Sequence, residues 1–472
     1  MYVSRIRVQD IKSFHGPRQV DLTLTRPDGS HAGWTVLAGR NGSGKTTLLR
    51  AMALALTGPA VARSLVPGFE NWVTEQSGAG TVEVEITRDA KHDRFSHGRP
   101  PTGSFRAGLR WTVPRDGSAG RVPVRRGVLP GLGEITYGKR SASASAAHRG
   151  PWADNPAGWF CAAYGPFRRM AGGSGEVQRL MLASGPVARN TSLFHEDASL
   201  AEGVAWLIEQ HLRALENREG AAGLKAFTLA VLRDGLLPDG YRIVDVDSEG
   251  LWVERDGSRF PLRETSDGFR TVTALVVDIL KQLHDVYGPG LWTSELWEAR
   301  GGSVALMTPG VVIIDEIDAH LHVSWQRRIG PWLTAHFPRI QFVVTTHSPY
   351  ICQAADPGGL IRLPGVDEAR PPEVIDQDLY DRVVYGSGDD AVLSDLFGLD
   401  TPYSERAEQV RAEFVELEAE IYDGASSRET LARYRELKER LTSSPSARVD
   451  EMSAHLRRIG EEITGGPKDE EE

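Results

Sequence analysis

The first residues of the chain, MYVSRIRVQDIKSF, alternate apolar and polar side chains, the period-two pattern of a strand. WTVLA (34–38) is a short apolar strand that enters a glycine-rich turn, followed by a helix with Leu48, Leu49, Met52 and Leu56 along one side. Two later runs, 311–314 in GVVIIDEID and 340–344 in IQFVVTTHS, are continuously apolar, as expected of strands buried on both faces of a parallel sheet. Residues 196–233 carry two helical patterns, the first with Leu200, Val204, Leu207, Ile208 and Leu215 on one face. The apolar run TVTALVVDIL reads as a buried helix, yet it opens on RETSDGFR, six of whose eight residues are charged or polar. An N-cap needs only one Ser, Thr or Asp. From about residue 401 the spacings of Ala407, Val410, Phe414, Leu417 and Ile421, and of Met452, Leu456, Ile459 and Ile463, alternate threes and fours among charged neighbours.

Composition narrows the class. A chain of 472 residues, 40% of them apolar, can bury a sizeable core and exceeds one ordinary domain. Cys161 and Cys352 are its two cysteines, which argues against a disulfide framework and suits a reducing compartment. The N terminus lacks the continuous apolar core of a signal peptide, and no run approaches the roughly 18 apolar residues of a membrane span. The expectation is a soluble, cytoplasmic protein without a membrane partner. The net charge of −10 is unevenly spread, since residues 86–150 hold 13 Lys/Arg against 4 Asp/Glu. The stretch 88–150, rich in Gly, Pro, Ser and Arg, reads in two ways. It is a basic arm for DNA or RNA phosphates, using residues such as Arg125, Arg126, Lys139 and Arg140, or a solvated insertion between strands.

The strongest chemical signal follows the strand at 34–38. AGRNGSGKTT matches G-x-x-x-x-G-K-[ST] in full, with Gly39, Gly44, Lys45 and Thr46 at the fixed places and Arg40, Asn41, Gly42, Ser43 and Thr47 within or beside the loop. Glycines let the backbone wrap a phosphate, and successive N–H groups at a helix N-terminus supply positive potential. Lys45 would reach the β- and γ-phosphates of ATP, and the Thr46 hydroxyl would ligate Mg²⁺. The run ending in Asp315 and Glu316 places two carboxylates at the C-terminal end of a strand, where open α/β sheets bind ligands. Asp315 is placed to hold Mg²⁺ and Glu316 to orient or deprotonate the attacking water. The third run ends in Thr345, Thr346, His347 and Ser348, with His347 placed to sense the γ-phosphate. Right-handed crossovers would bring the three strand ends to one crevice.

In this order, the phosphate loop, DEID and TTHS resemble ABC-type ATPases of the RecF/SMC class. The local wording, DEIDAHLHVSWQRRI and FPRIQFVVTTHSPYI, is similar to stand-alone bacterial ATPases related to the overcoming-lysogenization-defect ATPases and to the PtuA ATPase of Septu antiphage systems. The resemblance covers roughly residues 1–60 and 260–400, with YGPFRR (164–169) as an island, and departs at Val323, where such proteins carry Pro. It implies an α/β fold, a P-loop NTPase of ABC type with a mixed N-terminal β lobe, a parallel-sheet core and a helical lobe, followed by a C-terminal helical segment.

The resemblance also explains the polar helix opening. TSDGF is similar to the family's signature, which binds the γ-phosphate held by the other subunit's phosphate loop. Ser266, Asp267 and Gly268 would then act in trans, whereas a plain N-cap is the alternative. Asp318 and His320 resemble the D-loop that crosses the dimer axis. Lys12, Ser13 and Phe14 would lie near the adenine or form an ordinary strand end. AAYGPFRR takes the slot of the glutamine loop, with Gln178 as a candidate.

These readings divide the chain into an ATPase domain over 1–400 and a helical assembly or partner-docking region over 401–472 with an acidic tail. The first part includes the basic insertion 88–150, a helical lobe 186–240 and an insertion 288–310. In that last insertion Trp292, Leu296 and Trp297 form either a partner contact or a ridge buried against its own domain. The C-terminal helices likewise either assemble with a partner or pack on the ATPase domain. No carboxylate cluster resembling a TOPRIM nuclease and no H-N-H pattern stands out. The implied function is an ATPase that dimerises around ATP, forming a homodimer or a larger even-numbered oligomer. It would regulate a separate effector, a nuclease by resemblance, in antiphage defence. A RecF-like repair ATPase is the alternative, and a transporter subunit a weaker one.

Overall fold

A computed structural model describes residues 1–75, 77–114, 129–137, 143–168, 174–183, 185–288, 297–300, 303–424 and 427–441. Arg125, Arg126, Lys139, Arg140, Trp292, Leu296 and the 452–463 stripe lie outside the described residues. The chain divides into two compact units, Met1–Leu399 and Asp400–Glu472.

In the first unit the three runs picked out by their apolar character lie side by side. The core sheet has six strands in the order Glu373–Val374, Leu360–Arg362, Gly33–Ala38, Ile340–Thr346, Gly310–Ile314 and Cys161–Tyr164. Its neighbours are parallel except for the short outermost pair Leu360–Arg362 and Glu373–Val374. In register, Ile314 faces Tyr164 on one side and Val344 on the other, so the phosphate loop, the acidic pair and TTHS leave the sheet at the same edge.

The central strands are buried on both faces because two different layers cover them. Val311, Ile313 and Val343 point toward a core shared with Leu48, Leu49, Met52, Val82, Val84 and Leu109. Val312, Ile314, Phe342 and Val344 point toward Val272, Leu275, Val276 and Ile279 of the helix Asp267–Tyr287. The first layer belongs to a five-stranded antiparallel sheet in the order Val20–Thr23, Tyr2–Gln9, Ala79–Thr87, Phe105–Thr112 and Gly131–Glu134. Within the 88–150 stretch, Phe105 and Trp111 are therefore core side chains, buried against Phe69, Trp159 and their neighbours rather than free to stack on bases. Gln341 links the two sheets, accepting from Val3 N (2.8 Å) and donating to Val3 O (2.9 Å).

The helix after the phosphate loop, Lys45–Leu65, is enclosed between these layers and buries Ala51, Ala53, Leu54 and Ala55 as well as the four residues of its expected stripe. It is long and apolar enough to cross a bilayer by length and composition, a property that here reflects its burial inside the protein. Helices Ala201–Leu215 and Ala221–Arg233 pack against Asp267–Tyr287, alongside a three-stranded sheet of Arg242–Asp247, Gly250–Arg255 and Ser258–Pro261.

In the second unit, helices Glu405–Tyr422 and Arg428–Leu441 form a hairpin. Phe414 stacks on Tyr434 with ring centroids 4.9 Å apart, and Arg433 grips Glu413 in a bidentate pair at 2.7 and 3.0 Å. Ala407, Val410, Phe414, Leu417 and Ile421 are all half-buried, and Leu437 is fully buried.

Candidate nucleotide site

The phosphate loop joins Ala38 to the helix start at Lys45, and packing from below sets its shape. Gly44 has φ +101°, and a Cβ there would stand 2.5 Å from the ring of Phe14. Only glycine meets both conditions without strain. Phe14 is itself fully buried, so it supports the loop instead of facing a ligand. Its neighbours Lys12 and Ser13 do face outward. They line a cavity of about 330 Å³ together with Asn41, Gly42, Gly44, Lys45, Thr46, Thr47, Glu316 and His347. Arg40 is exposed beside the loop and donates to Gly398 O at 2.7 Å, while Gly39 and Ser43 are buried within its base.

Charge in this cavity is arranged in opposition. Lys45 Nζ donates to the carbonyls of Gly39 (2.7 Å) and Arg40 (3.1 Å). Burial lowers its pKa, while Asp315, Glu316 and Asp318 work to raise it. Glu316 shifts upward, first through burial and then through the charges of Asp315 and Asp318. A carboxylate moved toward neutrality in this way is a stronger general base. His347 is pushed below the ordinary imidazole range by desolvation and by Lys45, which favours the neutral ring with one donor and one acceptor nitrogen.

Threonines at the end of the neighbouring strand hold the carboxylates. Thr345 Oγ1 donates to Asp315 Oδ1 (2.5 Å) and accepts from Glu316 N (2.8 Å). Thr346 Oγ1 donates to Asp318 Oδ1 (2.5 Å). The TTHS motif thus orients the acidic pair as well as supplying His347. Glu316 sits at φ +46°, a left-handed conformation that costs a non-glycine residue on the order of 1 kcal/mol or more, as found at many functional sites. A buried carboxylate at Asp315 and a hydroxyl at Thr46 are hard oxygen donors that fit Mg²⁺, an ion that keeps several waters and uses one or two protein ligands plus phosphates. No cluster of three or more His, Cys, Asp or Glu able to hold a metal occurs among the described residues.

Ser266, Asp267 and Gly268 do not line this cavity. Ser266 takes the N-cap position of Asp267–Tyr287, but its side chain makes no capping hydrogen bond and is exposed. The Asp267 carboxylate is held by Arg270. Gly268 has a reason internal to its own chain, since a Cβ there would stand 2.5 Å from the carbonyl oxygen of His320. The turn at Ser266–Gly268 therefore packs directly on the backbone at His320. At an unobstructed helix start, Gly→Ala would gain up to about 1 kcal/mol of helix propensity. Here Gly268→Ala should instead lose about 1–3 kcal/mol, as overpacking against backbone does. Urea denaturation checks the sign, and a stabilised variant would show that His320 moves freely away.

Gln178 is exposed on the helix Gly175–Leu182 and does not line the cavity. Val323 occupies the first position of the short helix Val323–Gln326, a place where Pro is pre-organised and where the helix forms with Val as well. Two arginines that the sequence reading gave no role take up positions next to the site. Arg18 is buried under the loop and donates to the carbonyls of Ser43 (3.4 Å), Pro364 (3.1 Å) and Gly365. Arg168 is buried against the segment that follows Asp315. Each follows a Gly-Pro pair, in HGPR and YGPFR, and Arg168 lies in the YGPFRR island already singled out by resemblance, without a role assigned to its side chain.

Comparison with known proteins gives matches over parts of the chain. Residues 5–106 match an AAA-domain model, and residues 197–353 match a second AAA-domain model whose description names the AbiEii toxin of a type IV TA system. The chain is 38% identical over 106 residues to "Retron Ec83 probable ATPase" of Escherichia coli, covering 22% of this chain and 17% of that protein. It is 24% identical over 351 residues to "Septu protein PtuA" of Bacillus mycoides, covering 74% of this chain and 38% of that protein. It thus spans well under half the length of these two relatives. Among solved structures, an SMC head bound to the C-winged helix domain of ScpA aligns at TM-score 0.40 and 15% identity over 76% of this chain and 94% of that one. By its parallel core and phosphate loop the chain has the fold of a P-loop NTPase, similar over parts of its length to AAA-domain models, to Septu PtuA and to retron ATPases.

Proposed function

We propose that this chain binds and hydrolyses MgATP, dimerises around the nucleotide, and thereby controls a separate effector, a nuclease, in bacterial antiphage defence. The observation that carries the enzymatic part is the single cavity that the phosphate loop shares with Glu316 and His347. Thr46 and Asp315 would hold Mg²⁺, which when bound neutralises charge between the β- and γ-phosphates. Lys45 would exchange its two carbonyl partners for phosphate oxygens. Glu316 would orient the attacking water and take its proton, and neutral His347 would donate to the γ-phosphate. Ser266 and the bare backbone at Gly268 from a second copy would close the site. The uncapped Ser266 hydroxyl supports this reading, as does its exposure outside its own chain's cavity.

Resemblance to Septu PtuA and retron ATPases supports the defence role. The test is phage challenge of cells carrying this chain with its neighbouring genes. Protection should vanish with Lys45→Ala, and protection that persists in that variant would sink the coupling of ATP to defence. DNA or RNA is proposed as a further ligand of the 88–150 stretch. Affinity should then fall steeply with salt, and reversing Arg125, Arg126, Lys139 and Arg140 should flatten that dependence. Binding indifferent to both would remove this ligand.

A further inference from the structure

The loop after the edge strand Cys161–Tyr164 turns at Gly165-Pro166, and Arg168 points inward, 2% exposed. Its Nη1 donates to Gly165 O (2.9 Å) and Asp315 O (3.0 Å). Its Nη2 donates to Glu316 O (3.0 Å), Ile317 O (3.3 Å) and Ala319 O (3.5 Å). Four carbonyls from one five-residue segment therefore converge on a single guanidinium. Extended backbone cannot offer such a set, because its successive carbonyls point to opposite sides. The segment has to curl, and the left-handed Glu316 supplies the reversal.

Thr345 closes the curl from the opposite side. Glu316 N donates to its hydroxyl (2.8 Å) and Ile317 N to its carbonyl (3.0 Å). With its carbonyl tied to Arg168 and its amide to Thr345, Glu316 presents its side chain to the phosphate cavity. The buried guanidinium remains a cation at neutral pH. Burial lowers its pKa to about 10, while Asp318, Asp315 and Glu316 oppose that shift. Lysine could not substitute, because three donors on one point charge do not span carbonyls spread along a curl as a planar five-donor fork does.

We propose that Arg168 is the positioning residue of the hydrolytic step. It holds 315–319 in the curl that aims Glu316 into the cavity and anchors the residues that follow through the carbonyls of Ile317 and Ala319, without touching nucleotide itself. This inference rests on the ATPase reading above, so its test includes a readout that needs no hydrolysis. Arg168→Lys and Arg168→Ala are compared with wild type by steady-state ATPase assay, by binding of a fluorescent ATP analogue, and by hydrogen exchange of the peptide covering 315–321.

In both variants kcat should fall about ten- to a hundredfold, the scale of an ångström's misplacement, while KM and analogue affinity stay within about threefold. Exchange at the Glu316, Ile317 and Ala319 amides should rise at least about tenfold, with the phosphate-loop helix unchanged. Added guanidinium should restore part of the Arg168→Ala rate and none of the Glu316→Gln rate. Wild-type kcat in Arg168→Lys, unchanged exchange across 315–319, or parallel loss of kcat and nucleotide binding would each overturn the proposal. Should Arg168→Ala fail to fold, Arg168→Lys decides by the same criteria. An inactive wild-type protein would count against the ATPase reading, leaving the exchange data to judge Arg168 separately.

Discussion

Glu316→Gln should bind ATP with near-normal affinity yet hydrolyse it about 10²–10⁴-fold more slowly, the range associated with losing a positioned general base. The substitution keeps size, and the Thr345 and Arg168 contacts survive because they are made to the residue 316 backbone. What disappears is a carboxylate whose pKa burial and two acidic neighbours have raised toward neutrality. ATP that is bound but not cleaved should also hold two chains together, so size-exclusion chromatography with ATP should show a persistent dimer. Lys45→Ala fails differently. It removes the cation at the phosphate loop, so binding itself should weaken and no ATP-dependent dimer should form. Turnover within a fewfold of wild type in Glu316→Gln would strip Glu316 of its assigned role.

A mixture of two dead proteins should recover activity. Ser266→Arg places a bulky cation at an exposed helix start outside the cavity of its own chain, leaving that chain's phosphate loop intact. Lys45→Ala disables the phosphate loop and leaves the signature-like turn intact. Each homodimer has two defective composite sites, whereas a heterodimer has one site assembled from the two undamaged halves. ATPase activity should rise from background in each protein alone to about a quarter of wild type at equal mixing. That figure assumes random pairing and one independent working site in half of the dimers. Subunit exchange has to be demonstrated with tagged chains. With exchange proven and no activity at any ratio, the in-trans assignment of Ser266 and Gly268 is wrong or both sites must fire together. A heterodimer carrying both substitutions on one chain and none on the other separates these outcomes: in trans, each of its two sites has one damaged half and it stays inactive, whereas sites built within one chain leave the unsubstituted chain an intact site and activity.

The chemistry was legible in the sequence where a motif is local. Gly39 to Thr47 is one turn between a strand and a helix, and its geometry depends on little beyond its own glycines and the helix dipole. The continuous apolar runs before Asp315 and Thr345 were legible for a similar reason, since only a strand covered on both faces tolerates such a run. Roles that depend on what a side chain packs against were not. Phe14 looked like a ligand contact by resemblance and proves to be the floor beneath Gly44. Gly268 looked by resemblance like a bared backbone for phosphate, and its missing side chain leaves the space that the carbonyl of His320 occupies. Phe105 and Trp111 sat in a stretch that read as basic arm or insertion, and they are core residues of the N-terminal sheet.

What the sequence determined by itself is the set of strand-end groups: a phosphate loop, an acidic pair and TTHS, each encoded within about ten neighbouring residues. Tertiary structure decided how those groups are aimed. Arg18 and Arg168 lie 25 and 147 residues from carbonyls they hold at Ser43 and Asp315, and charged residues are ordinarily read as exposed. Burying a guanidinium is tolerable only where several acceptors converge on it, and such convergence is made by strands and loops distant in sequence folding onto one another. A helix or a turn follows from neighbouring residues, whereas a cage of carbonyls exists only once the sheet has brought its edges together.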